Sequence, residues 1–101
     1  MNLEQIRLQE ARRRTETMRW ILLVTLNIAR PAETQLGLLL SVTRGEYSDA
    51  TSMEILRELD YLKGRDLITL RTEQLGTVYA KIDRYGIDLV EYAVECEPGI
   101  A

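Results

Sequence analysis

Met18, Ile21, Leu22, Thr25, Leu26 and Ala29 recur at the three- and four-residue spacings of one helix face, and all but Thr25 are apolar. They predict a core helix that stops at Arg30-Pro31, because proline disfavours helical backbone in the residue before it. Upstream, Leu3, Ile6 and Glu10 with the Arg12 to Arg14 run predict a helical extension with little apolar surface of its own. A second helix is expected to open near Glu33-Thr34, to turn Leu36, Leu39 and Leu40 inward, and to close at Arg44-Gly45 with the glycine in a left-handed cap. For the third helix Ser48 is a good N-cap, with Asp49 well placed against the helix dipole, and Thr51 with Glu54 offers a second capping box. Ile55, Leu56, Leu59 and Leu62 mark its buried face, Met53 and Tyr61 its borders, and Lys63-Gly64 its end.

The period then changes. Leu67 to Thr72 and Thr77 to Ile82 are strand-like runs separated by the turn Glu73 to Gly76, which together predict a hairpin. Asp83 can cap a last helix through IDLVEYAVE, with Leu89, Val90 and Ala93 as its apolar face, and Glu95 to Ala101 reads as a tail closed by Pro98-Gly99. The expected fold is mainly α with a small β-hairpin: three helices, two strands and a C-terminal helix. Residues 1–15 form a basic extension, 16–94 the domain and 95–101 the tail.

Composition narrows the functional classes. A chain of 101 residues with 46% hydrophobic content can bury one modest core and no second one. No apolar run approaches the roughly 20 residues that a membrane helix needs, and MNLEQIRLQEARRR lacks the apolar block of a secretory signal. A cytoplasmic location is expected. One cysteine, Cys96, permits no internal disulfide, and the absence of histidine removes the usual metal sites and nucleophile-base pairs. The carboxylate pairs Glu54/Glu58 and Glu58/Asp60 read as a solvated helix face, not as an acid-base pair, so no enzyme and no cofactor is expected.

Two strings carry a resemblance. LRELDYLKGRDLITL, followed by the hairpin and then YAKIDRYGIDLVEY, is similar to the winged helix-turn-helix pattern, in which a recognition helix runs into a turn, a wing and a glycine-containing helix start. Taken with ARRRTETMRWILLVTLNIARP and IDRYGIDLVEYAVECEPGI, the chain resembles small winged-helix proteins encoded by Mu-like bacteriophages and prophages over nearly its whole length. The shared positions are mostly core and turn residues. The resemblance therefore implies a fold more strongly than an activity, and brings no active site with it.

Within that pattern the third helix would lie in the DNA groove with Thr51, Ser52, Glu54, Arg57 and Glu58 toward the bases, and Arg57 as the reader of a guanine. Arg44 and Arg71 would hold phosphates, and Arg12, Arg13 and Arg14 would lie on the backbone. Charge argues against this face. Residues 1–30 carry six arginines against three glutamates, a net of +3, whereas the remaining 71 residues carry seven bases against thirteen acids, a net of −6. Asp49, Glu54 and Glu58 crowd the helix that would approach the phosphates, and Glu73 sits at the hairpin tip. Two readings stay open: a DNA-binding module or regulator, and a protein-interaction or assembly part of phage morphogenesis whose partner is a phage or host protein. The N-terminal helix has more length and apolar content than one small core needs, which makes it the candidate surface for a homodimer. Trp20 reads as a core or interface anchor, Tyr79 and Tyr85 as packing residues, and Cys96 as a bystander thiol near the tail.

Overall fold

The computed structural model describes residues 1–96, and side chains as far as residue 93. Asn2 opens the first helix, α1 (Leu3–Ala29), with a complete capping box: its side chain accepts from the Gln5 backbone N–H at 2.8 Å, and the Gln5 side chain accepts from the Asn2 N–H at 3.1 Å. The extension and the core helix are thus one continuous 27-residue helix. From Met18 onward it turns Met18, Leu22, Leu23 and Leu26 into the core, whereas every residue from Met1 to Arg13 is exposed.

After Arg30-Pro31 the chain does not enter a helix at once. Thr34–Gln35 forms a short strand, β1, and the second helix, α2, runs from Leu36 to Arg44. Leu39 of α2 is fully buried, and Leu36 and Leu40 are half-buried against the core. Gly45 closes α2 in the right-handed region (φ −62°, ψ −31°), so the expected left-handed cap does not form. A tight turn with its N–H on the Val42 carbonyl takes its place. The third helix, α3 (Ser52–Gly64), starts at the later of the two expected caps: Thr51 Oγ1 accepts from the Glu54 N–H at 3.2 Å. Ser48 and Asp49 belong to the loop before it. Ile55, Leu59 and Leu62 of α3 are buried, and Leu56 is half-buried.

Strands β2 (Ile68–Thr72) and β3 (Val78–Ile82) form the expected antiparallel hairpin, and Gly76 turns it at φ +89°. β1 adds to the far side of β3 with Thr34 opposite Ala80, so the sheet has three strands in the order β1-β3-β2. The last helix, α4 (Arg84–Cys96), begins directly after Asp83, the expected cap residue, and absorbs Glu95 and Cys96, the first two residues assigned to the tail. The rest of that tail and the Cys96 side chain lie outside the described residues. Gly86, Ile87 and Val90 face inward from α4, whereas Leu89 is 43% exposed and does not join the core. Gly86 is required for this packing: a Cβ there would lie 2.3 Å from the Leu67 carbonyl oxygen and 2.7 Å from an Ile82 side-chain carbon.

Among the described residues the fold is mixed α+β, four helices with a small three-stranded antiparallel sheet. Its core joins Met18, Leu22 and Leu26 of α1 to Leu39, Ile55, Leu59 and Leu62, closed by Ile68 and Ile82 of the hairpin. No described helix is long and apolar enough to cross a membrane.

Candidate functional site

The packing of α1 on α3 changes the electrostatics of the helix expected to approach DNA. An α-helix turns about 100° per residue, so the adjacent Arg12, Arg13 and Arg14 point three different ways, and Arg14 alone of the three reaches α3. Its Nε donates to Glu54 Oε2 at 2.8 Å and its Nη2 to Glu54 Oε1 at 3.0 Å, the two parallel bonds of a bidentate guanidinium-carboxylate pair. Its Nη1 donates to Asp49 Oδ1 at 3.0 Å, and the guanidinium lies over the Tyr47 ring, 4.7 Å from its centre. The hydrogen bonds from Arg14 hold the Glu54 carboxyl below its ordinary pKa, against the opposing effect of desolvation, and the same bonds raise that of Arg14.

One turn and a half further along α1, Arg19 repeats the arrangement. Its Nε donates to Glu58 Oε1 at 2.8 Å, and its guanidinium sits 3.4 Å from the centre of the Tyr61 ring. Arg65 approaches the same ring from another direction, 5.9 Å from its centre, and donates to the Tyr61 hydroxyl at 3.3 Å. Glu58 is buried at 5% exposure, so Arg19 stabilises a carboxylate that would otherwise be left desolvated and unpaired.

Three of the acids that argued against a DNA surface are therefore paired with arginines of α1: Glu54 and Glu58 are turned toward that helix, whereas Asp49, in the loop before α3, pairs with Arg14 while its side chain stays 75% exposed. The outward side of α3 presents Ser52, Met53, Arg57, Asp60 and Lys63, all exposed, with Leu56 half-buried among them. On that face two bases stand against one acid. Thr51 is exposed but spends its hydroxyl on the helix cap.

The expected phosphate contacts divide. Arg12 and Arg13 are exposed and have no ion-pair partner among the described residues. Arg44 is exposed and donates its Nε hydrogen to the Ala50 carbonyl at 2.9 Å, which ties the end of α2 to the loop just before α3. Arg71 is engaged by the protein: Nε and Nη2 donate to Glu33 at 3.0 Å each, Nη1 donates to Glu73 at 3.4 Å, and the guanidinium lies over Tyr79 at 4.4 Å. The hydrogen bonds that Arg71 donates hold Glu33 below its ordinary pKa, and the same bonds raise that of Arg71. The hairpin tip thus carries no free base at Arg71, and it projects Leu75 at 95% exposure.

Sequence reasoning missed the roles of Arg14 and Arg19 as partners for α3. The only signal was compositional: α1 carries an excess of arginines and α3 an excess of acids, and the spacings of the pairs, five residues between Arg14 and Arg19 and four between Glu54 and Glu58, do not match. No cluster of three or more metal-ligating side chains occurs among the described residues. No protein-family model, curated protein or solved structure matches the chain.

Proposed function

We propose that the chain is a winged-helix module that binds duplex DNA through the outward face of α3. The element order α1-β1-α2-α3-β2-β3 and the sheet order β1-β3-β2 support the winged-helix reading, with β2 and β3 as the wing. One observation carries the functional reading: Arg14 and Arg19 pair with Glu54 and Glu58 on the side of α3 that faces the protein, and Arg14 also pairs with Asp49 in the exposed loop before α3, so the charge of those acids toward the phosphates is offset. In this reading Arg57 reaches a base edge from the first two turns of α3, with Ser52 beside it. Arg44 and Arg12 hold phosphates. Arg14 and Arg71 are structural. The resemblance to small Mu-like phage and prophage proteins agrees with a regulatory or DNA-handling role of this kind.

Binding across a salt series, on a site selected from random duplexes, tests the proposal. Arg57→Ala is expected to cost about 1–3 kcal/mol on that site while leaving the salt slope nearly unchanged. Arg12→Ala is expected to reduce the slope by about one and to weaken all sequences alike. Failure to enrich any site, together with binding that ignores Arg57→Ala, overturns it.

The second reading, a winged helix that docks on another protein, is favoured by the wing alone. Arg71 is locked to Glu33 and Glu73, and the exposed Leu75 occupies the tip where a phosphate-binding base would be expected. Loss of DNA binding on every duplex with the fold intact is the outcome that selects it.

A further inference from the structure

The first half of α1 is a well-capped helix whose residues 1–13 are all exposed, and one stripe along it carries the apolar Leu3 and Ile6 as well as charges. Leu3, Ile6, Glu10, Arg13, Thr17 and Trp20 alternate by three and four residues, the seam spacing of a coiled coil. Counted around the helix, the seam lies on the side away from Met18, Leu22 and Leu26; its first four members are exposed, Thr17 is half-buried, and Trp20 borders a surface hollow with Tyr61 and Leu89. Leu3 is 64% exposed, and Ile6 and Trp20 are each 39% exposed.

The seam is complementary to itself in one direction only. Run antiparallel about the midpoint between Ala11 and Arg12, it sets Leu3 against Trp20, Ile6 against Thr17 and Glu10 against Arg13, each pair occurring twice by symmetry. Run parallel and in register, it would set Glu10 against Glu10 and Arg13 against Arg13. Neither Glu10 nor Arg13 has an ion-pair partner within the described chain, so both are available to a second copy.

We infer that two copies pair through the N-terminal halves of α1 as an antiparallel two-helix coiled coil, with two Glu10–Arg13 ion pairs at its centre and Leu3 packed on Trp20 at each end. The pairing does not depend on what α3 binds. It occupies Arg13, and it leaves Arg12 on another side of the helix.

Sedimentation equilibrium of the full chain tests this, with the emission of Trp20, the sole tryptophan, as a second readout. The wild type is expected to dimerise, and its Trp20 emission to shift to the blue as concentration rises. Glu10→Arg and Arg13→Glu, each placing like charges at the centre twice, are expected to raise the dimer Kd about tenfold. The double variant Glu10→Arg/Arg13→Glu restores the opposite-charge pairing and is expected to return Kd to within about threefold of wild type. Both positions are exposed, so circular dichroism should show the fold unchanged in all three. A chain that stays monomeric, a dimer indifferent to the single reversals, a double variant that does not recover, or a dimer without a Trp20 shift each overturns the inference.

Discussion

Arg19 donates its Nε hydrogen to Glu58 at 2.8 Å and is the partner that this buried carboxylate has among the described residues, although the two lie 39 positions apart in the chain. The pair fixes α1 to α3 alongside the core, as Arg14 and Glu54 do one turn earlier on α3. Through these pairs the fold determines which charges of α3 face outward.

Removing only the arginine should leave Glu58 desolvated and unpaired. Arg19→Met, which keeps the aliphatic stem, is expected to destabilise the protein by about 2–4 kcal/mol in urea unfolding. Arg19→Met/Glu58→Leu is expected to recover most of that loss, because the buried carboxylate is then gone with its partner. Equal destabilisation by the single and double changes would mean that packing of the arginine stem, not the ion pair, is what matters at this contact.

Acid should weaken the second clasp. The folded Glu54 carboxyl is held below its ordinary value of 4.5 by its hydrogen bonds to Arg14, so its contribution is fully present above that value and is lost as pH falls through the folded pKa. Urea unfolding of wild type and Glu54→Gln between neutral pH and about pH 3 should therefore show a stability difference that is constant above about pH 5.5 and shrinks below about pH 4.5. A difference that does not change with pH would remove Glu54 ionisation from the account.

Gly86 makes a separate prediction about the junction of the hairpin and α4. Gly86→Ala would push a methyl into the Leu67 carbonyl, whose oxygen also accepts the Asp83 N–H at 2.9 Å. Helix propensity alone would favour alanine by up to about 1 kcal/mol. The clash is expected to reverse that sign and to destabilise by about 1–3 kcal/mol. A stabilised Gly86→Ala variant would mean that α4 can shift away from the sheet at little cost.

Much of this architecture was legible in the sequence because its longer elements repeat a pattern over many residues. The face built from Met18, Leu22 and Leu26, the buried Ile55, Leu59 and Leu62, and the two strands of the hairpin all follow from periodicity. Thr34–Gln35 did not, because a two-residue strand has no period and is defined by its partners Ala80 and Tyr79, which lie 46 and 44 positions away by residue number. Gly45 suggested a left-handed cap by residue type, but the chain turns there through the Val42 carbonyl in right-handed geometry. The candidate surface was the least legible part. Counting Asp49, Glu54 and Glu58 as charges facing DNA ignored where their partners are, and Arg14 and Arg19 come from a helix 35 to 40 positions earlier. Treating Arg12 to Arg14 as one basic arm likewise ignored the helical rotation that sends only Arg14 to α3.

The central claim is that Arg14 acts on DNA binding indirectly, by neutralising the acids at the start of α3. The measurement that tests it is the affinity of wild type, Arg14→Ala and Arg14→Ala/Glu54→Gln for the same duplex at one low salt concentration. Arg14→Ala should weaken binding by about threefold to tenfold, since Glu54 and Asp49 are released toward the phosphates, and adding Glu54→Gln should restore most of the loss. If the double variant binds as weakly as Arg14→Ala alone, Arg14 itself holds a phosphate, and masking of the α3 acids is not what permits DNA to bind.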